Sequence, residues 1–87
     1  MKAPVRSLNT IASEIYQNWN TRNSGTVLSP YARPYLEAMS SLDSINDNYG
    51  LDSGKSIVAY FRSNSSTWRG PVAKRIKAEL DAMLKAK

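Results

Sequence analysis

Apolar residues recur three and four positions apart in four segments of this chain, which is the spacing of amphipathic helices. The predicted helices cover residues 7–19, residues 29 to 42 or 45, residues 52 or 53 to 64, and residues 71–86. Ser7 and either Asp52 or Ser53 are residue types that cap helix N-termini, and Pro71 suits a first helical position. We therefore predict a single all-α domain over residues 1–87, a small bundle of three main helices plus a shorter fourth.

Two of these segments leave alternatives open. In the second, Ser29-Pro30 is typical of an N-cap and a first helical position, yet Pro34 would disturb a helix that began at Pro30. The helix therefore begins either at Pro30, with a kink, or near Pro34, after a short turn. In the third, the apolar run Ile57–Phe61 also suits a buried strand, and we prefer a helix because capping residues precede it.

The apolar stripes of the four helices together predict the core. We expect it to contain Leu8, Ile11, Ile15, Trp19, Leu36, Met39, Leu42, Ile57, Phe61, Trp68, Val72, Ile76, Leu80 and Met83. Leu28 lies between the first two helices and is expected to pack on this core.

The composition excludes several classes of function. The chain has no cysteine and no histidine, so zinc sites built from these residues and catalysis by an imidazole base are excluded. Small secreted domains usually contain disulfides, and the run Ile57–Phe61 is far shorter than the ~20 apolar residues of a membrane span. We expect a cytoplasmic protein that is not an enzyme and needs no metal and no cofactor.

Two short motifs resemble ligand sites but lack the required pattern. Gly54-Lys55-Ser56 matches the end of a phosphate-binding P-loop, but Tyr49 stands where the loop needs its first glycine. The acidic segment 43–52 lacks the calcium-ligand spacing of an EF-hand. We interpret the first motif as a helix N-terminus and the second as a turn, with Gly50 in a left-handed conformation after the second helix.

The net charge is +5, from 12 Lys and Arg against 7 Asp and Glu, and much of the excess lies near the C-terminus. A basic face attracts nucleic acid or another acidic surface. Arg62, Arg69, Lys74 and Lys77 are the candidate phosphate contacts. An ordinary solvated helix is the competing interpretation, because Arg75 and Glu79, Lys77 and Asp81, and Asp81 and Lys85 stand at i,i+4, the spacing of helical ion pairs.

Aromatic and basic residues alternate between Tyr60 and Gly70, a composition that also occurs in proteins that stack bases. We favour a structural interpretation, in which Phe61 and Trp68 belong to the core and arginines cover them.

The last helix carries a second stripe, Ala78, Ala82 and Ala86, which recur every fourth residue away from the apolar face. A flat alanine stripe lets another helix approach closely, so it is a candidate surface for self-association. The leading functional expectation is a small intracellular binding module, a protein-binding or self-associating adaptor. The alternative is a nucleic-acid-binding module that uses the basic C-terminal helix and the turn before it.

The stretch Asp52–Phe61, followed by Trp68-Arg69-Gly70-Pro71 and the basic helix, resembles short uncharacterised proteins of marine phages. The resemblance covers about the C-terminal half of the chain. It implies a phage or environmental origin, implies no activity, and brings no functional residues with it.

Overall fold

The computed structural model describes residues 6–85 and is mostly helical. Its elements are α1 (Leu8–Asn18), α2 (Thr21–Ser24), α3 (Arg33–Met39), β1 (Asn48–Tyr49), β2 (Asp52–Ser53), α4 (Gly54–Ser63) and α5 (Pro71–Lys85). Helices α1, α3, α4 and α5 are the four predicted ones, so the expectation of a mainly helical chain is confirmed. The four-residue α2 and the two-stranded hairpin are additions that the all-α prediction did not contain.

Short polar side chains cap the helices where the sequence predicted. The Ser7 hydroxyl accepts from the backbone N–H of Thr10 at 3.3 Å, and the Ser53 hydroxyl accepts from that of Ser56 at 3.1 Å. Each bond satisfies an N–H group that has no partner inside its own helix.

Helix α3 begins where one of the two alternatives placed it, and it ends earlier than predicted. Residues 30–32 form a turn and the helix begins at Arg33, which decides between the two alternatives in favour of the turn. It ends at Met39 rather than at residue 42 or 45. The carbonyl oxygens of Leu42 and Asp43 accept from the backbone N–H groups of Asn9 and Leu8 instead. The chain leaves α3 because these carbonyls bind the unpaired donors of the first turn of α1.

The segment after α3 contains a hairpin where the sequence predicted only a turn. Asn48 pairs with Ser53 and Tyr49 with Asp52 in antiparallel register. Gly50 has φ of 63° at the first position of the two-residue loop, the position at which type II′ turns carry glycine. The positive φ expected for Gly50 is confirmed, but Gly50 lies in the hairpin turn and not at the end of a helix.

The predicted core is confirmed with two qualifications. Val72 and Met83 are only partly buried, at the edges of the α5 stripe, while the other predicted core residues are buried. Alanines are the main members that the prediction missed: Ala32, Ala38 and Ala73 are 4% exposed or less. Leu28 packs against the core from outside, as expected. Within residues 6–85, no helix has both the length and the apolar character needed to cross a membrane.

Three aromatic side chains form the centre of this core. Trp19 and Trp68 are stacked, with ring centroids 5.5 Å apart, and Phe61 meets both rings edge-on at 6.1 and 6.4 Å. Both indole N–H groups have acceptors, Thr26 Oγ1 for Trp19 and Asn18 Oδ1 for Trp68. The cluster therefore joins α1, α4 and the turn before α5 without leaving a buried donor unpaired.

Ion pairs hold α5 against α1. The Arg6 guanidinium donates to both carboxylate oxygens of Glu79, at 2.7 and 2.9 Å, and to Glu14 at 2.8 Å. Glu14 also pairs with Arg75. The hydrogen bond from Arg6 is the largest cause of the lowered pKa of Glu14, with a further contribution from Arg75. The network therefore favours the charged carboxylate and fixes one flank of α5.

The first residue of α4 generates a test of the fold. A Cβ atom on Gly54 would lie 2.9–3.0 Å from the backbone oxygens of Ser44, Ile45 and Asp47. We expect Gly54→Ala to destabilise the protein by about 1–3 kcal/mol, because backbone atoms cannot move aside as a side chain would. Urea denaturation measures the change.

An exposed position on the same helix supplies the control. Ser63→Ala should change the free energy of unfolding by less than about 0.5 kcal/mol. Gly-to-Ala changes at unstrained helical sites usually stabilise by about 0.4–1 kcal/mol, so a more stable Gly54→Ala protein would contradict the packing described here.

Candidate nucleic-acid interface

The turn between α4 and α5 is held inward by two buried side chains. Ser65 and Trp68 are each 0% exposed. The Ser65 hydroxyl donates to the Arg62 carbonyl at 2.9 Å, and the backbone N–H of Trp68 donates to the Ser65 carbonyl at 3.0 Å. With Trp68 fixed in the core, Arg69 is exposed at the start of α5. The expectation that Trp68 is a core residue, and not a surface for stacking bases, is thereby confirmed.

Arg62 is bound within the fold. Its guanidinium donates to both carboxylate oxygens of Asp81, at 2.7 and 3.0 Å, and to the Ser65 hydroxyl at 3.0 Å. The hydrogen bond from Arg62 lowers the pKa of Asp81 below its usual value, and nearby Lys85 and Lys77 contribute. This bidentate pair connects α4 to α5.

Lys77 points back toward the same turn. Its ammonium group donates to the Trp68 carbonyl at 2.5 Å. Partial burial lowers the pKa of Lys77, and the neighbouring charges of Arg62 and Arg69 lower it further, while Asp81 acts in the opposite direction. Three cations therefore lie close enough to repel one another, with the carboxylate of Asp81 beside them.

Arg69 and one further cation, Lys74, extend this group into solvent. The side chains of Arg69 and Lys74 are exposed and form no hydrogen bond or ion pair with another residue in the range 6–85. Lys74 lies one turn before Lys77, where side chains on a helix are neighbours. We call Arg62, Arg69, Lys74 and Lys77 the basic corner.

Two residues of the basic corner lie at the positive end of a helix dipole. The first turn of α5 contains Lys74 and no acidic residue, and Arg69 lies two residues before the helix begins. Cations at a helix N-terminus oppose the macrodipole, at a cost of about 0.3–1 kcal/mol each. The arrangement is unfavourable for the isolated helix and favourable for an anion placed beside it.

The ion pairs predicted within α5 are not formed, and the structure corrects this prediction. Glu79 pairs with Arg6, Asp81 with Arg62, and Arg75 with Glu14, each on a different element. An arginine fork from a neighbouring element can bind both carboxylate oxygens, whereas i,i+4 pairs on one exposed helix are worth only a few tenths of a kcal/mol. The correction also affects the site, because Arg62 and Lys77 are less available to a ligand than the sequence indicated.

The candidate self-association stripe is exposed where it can be described. Ala78 and Ala82 are exposed on the side of α5 away from the core, and Ala86 lies outside the described residues. Helical spacing places Lys74 and Lys85 on the same side. The stripe is therefore apolar in its centre and carries a positive charge toward each end.

The two motifs that resembled ligand sites have structural roles. Gly54 packs against backbone oxygens, and its N–H donates to the Asp47 carbonyl at 2.7 Å. The Asp47 carboxylate accepts from the backbone N–H groups of Asp43 and Ser44, which identifies it as a turn residue. In the part of the chain that the structure describes, acidic side chains form no group of three or more that could hold a metal ion.

An open polar cleft of about 550 Å³ lies along α1, away from the basic corner. Its lining includes Arg6 and Glu14, which bind each other. The cleft therefore offers a ligand fewer uncommitted charges than the basic corner does.

Sequence reasoning missed two residues that shape the site. Asp81 was expected to pair within α5, and the bidentate pairing with Arg62 could not be read from spacing because it depends on how α4 meets α5. Tyr35 was not among the predicted core or site residues, yet its ring stacks on the exposed ring of Tyr60. The alternation of aromatic and basic residues after Tyr60 was the available signal.

Comparison of the chain with models of protein families, with curated proteins and with solved structures finds no match. The function therefore has to be inferred from the geometry and charge of the site itself.

The Arg62–Asp81 pair generates a pH-dependent prediction. The lowered pKa of Asp81 means that the pair stabilises the fold above the ordinary aspartate pKa of about 3.9, and that this stabilisation is lost as the pH falls through the folded-state pKa. Asp81→Asn should cost roughly 0.5–1 kcal/mol at pH 7, because the carboxylate is 43% exposed and screened by water. The difference from the parent should shrink as the solution is acidified to about pH 2.

Denaturation curves at several pH values measure this difference. Asp52→Asn is the matched control, since it removes one exposed carboxylate in β2 away from the basic corner. A difference between Asp81→Asn and the parent that stays constant from neutral to acidic pH would show that the pair does not stabilise the fold through its charge.

Proposed function

We propose that this protein is a small, intracellular, non-enzymatic binding module whose basic corner binds the phosphate backbone of nucleic acid. The observation that carries the proposal is the grouping of Arg62, Arg69 and Lys77 near a single carboxylate, Asp81, beside the turn that joins α4 to α5. The resemblance of the C-terminal half to short proteins of marine phages is compatible with a phage-encoded module of this kind.

The free-energy balance of the basic corner supports an anionic partner. Burial is the main cause of the lowered pKa of Lys77, and the positive charges of Arg62 and Arg69 lower it further, because like charges at one site disfavour one another's charged forms. A phosphate group placed among these cations would convert repulsion into attraction and would also interact favourably with the helix N-terminus. Binding would therefore relieve an arrangement that the free protein maintains at some cost.

The four residues would have different roles. Arg69 and Lys74 are exposed and would contact phosphates directly. Arg62 and Lys77 are held by Asp81 and by the Trp68 carbonyl, so they would supply a fixed positive field. Phosphate contacts position nucleic acid without reading its bases. We therefore propose binding with little dependence on base sequence.

The adaptor is the second candidate, and the exposed stripe of Ala78 and Ala82 favours it. A second copy docking on this stripe would bring Lys74 and Lys85 of both copies together, whichever way the helices run. Repulsion between them would weaken association at low salt. A separate protein with an acidic helix would fit the stripe better than a second copy would.

Salt dependence tests the nucleic-acid proposal. Binding of a labelled duplex should weaken steeply as salt increases, with a log–log slope of about −0.9 per phosphate neutralised. Changing Arg69 and Lys74 together to Gln should weaken binding alike for all base sequences and should flatten the slope by about two units, one for each lost contact. Fluorescence anisotropy at several salt concentrations measures both effects.

Two variants make this result specific to the basic corner. Lys55→Gln removes one exposed charge at the other end of α4, about 10 Å along the helix from Arg62, and should leave the slope nearly unchanged. Asp81→Asn removes a negative charge from the corner and should tighten binding. The proposal fails if no binding occurs in the micromolar range at low salt, or if Lys55→Gln weakens binding as much per charge as the double variant.

Self-association through the alanine stripe has the opposite salt dependence. If it occurs, sedimentation should show more dimer at high salt, because screening weakens the repulsion between Lys74 and Lys85 of the two copies. Ala82→Lys should abolish the dimer by adding bulk and charge, without weakening nucleic-acid binding. Ser13→Lys adds the same charge on the exposed side of α1 and should have no effect on association. A parent protein that remains monomeric at every salt concentration would exclude the self-associating form of the adaptor.

A further inference from the structure

An aromatic pair joins α3 to the flank of α4 opposite Arg62. Tyr60 stacks on Tyr35 of α3, with ring centroids 5.3 Å apart and 25° between the ring planes. Tyr35 is partly buried, whereas Tyr60 is 54% exposed. The Tyr60 ring is therefore supported by Tyr35 while much of its surface remains open to solvent.

The path from this ring to the basic corner crosses one helix. Tyr60 and Arg62 are two residues apart and hence about 200° apart around the axis of α4, so they lie on opposite flanks. Tyr60 contacts α3, and Arg62 contacts Asp81 of α5. Between them, the outward side of α4 presents Ala59 and Ser63, both exposed and both small.

The dimensions of this path suit a nucleic-acid strand. A helix with its side chains is about 10–12 Å across, a distance that a few nucleotides of a flexible single strand can span. Small side chains at Ala59 and Ser63 would let the strand approach the helix closely. Exposed aromatic rings next to a positively charged groove are the combination that proteins use to bind unpaired nucleotides.

We propose that the nucleic acid bound at the basic corner is single-stranded, with an unpaired base stacked on the ring of Tyr60. The strand would cross Ala59 and Ser63, and its neighbouring phosphates would lie at Arg69 and Lys74. Tyr35 is a positioning residue that supports the Tyr60 ring. The bases of a duplex are already stacked within it and cannot reach Tyr60. This inference rests on the proposed function and adds the class of nucleic acid to it.

Anisotropy titrations with labelled oligomers of roughly 12 nucleotides test the inference, a length within the range of single-strand site sizes. The probes are oligo-dT, oligo-rU, an abasic oligomer of equal length and charge, and a duplex. We expect the parent to bind oligo-dT or oligo-rU more tightly than the abasic oligomer or the duplex. Tighter binding of one of these two single strands would also tell whether DNA or RNA is preferred.

Substitutions at Tyr60 separate stacking from charge. Tyr60→Ala should weaken binding of the preferred single strand about fivefold to a hundredfold, the loss expected for one base–aromatic stack. It should leave the abasic oligomer unaffected. Tyr60→Phe keeps the ring and should bind like the parent. Tyr49→Ala removes another exposed tyrosine, in β1 near the N-terminal end of α4, and should also bind like the parent.

The outcomes distinguish a failure of this inference from a failure of the proposed function on which it rests. If Tyr60→Ala binds single strands as the parent does, and the duplex binds equally well, then stacking at Tyr60 is excluded while phosphate binding at the basic corner stands. If none of the four probes binds at low salt, both the inference and the proposed function are overturned.

Discussion

The burial of Trp68 is the constraint on which the position of the basic corner depends. Its ring stacks on Trp19 and its indole N–H is bound by Asn18, so the turn before α5 is tied to the C-terminal end of α1. A chain without cysteine has no disulfide to fix such a turn. With Trp68 in place, its carbonyl accepts from Lys77 and Arg69 follows directly into solvent. The core therefore determines where the positive charge lies.

The distribution of charge follows from how the fold uses its few acidic residues. Glu14, Glu79 and Asp81 bind arginines that join α5 to its neighbours, and Asp47 binds backbone N–H groups in a loop. These carboxylates stabilise tertiary contacts, and the cations at the start of α5 are correspondingly poorly balanced. A net charge of +5 would say little if it were evenly spread. The excess positive charge bears on binding because it is concentrated at the basic corner.

Periodicity predicted the helices and most of the core because burial of an apolar stripe is a local property of the sequence. It failed where a partner distant in sequence decides the outcome. Helix α3 ends early because α1 needs its following carbonyl groups, and Asp81 binds Arg62 rather than its own helical neighbours. The residue types of the candidate site could be chosen from the sequence. Which of them are committed to the fold and which remain available could not, because this depends on how α4, the turn and α5 pack together.

The same side chains connect stability to binding. Arg62 holds α4 to α5, and Lys77 holds the turn between them. Substituting either residue would therefore change the stability of the fold as well as the positive potential of the basic corner. Arg69 and Lys74 have no such structural role among the described contacts. Substitutions at these two positions therefore test the binding of an anionic ligand without removing a contact of the fold. Tyr60 occupies a similar position among the aromatic residues, because Phe61 and Trp68 are required by the core and Tyr60 is not. Around the basic corner and the outward side of α4, the fold thus leaves a ring and two cations uncommitted, and a flexible strand with unpaired bases and charged phosphates is the ligand that uses both.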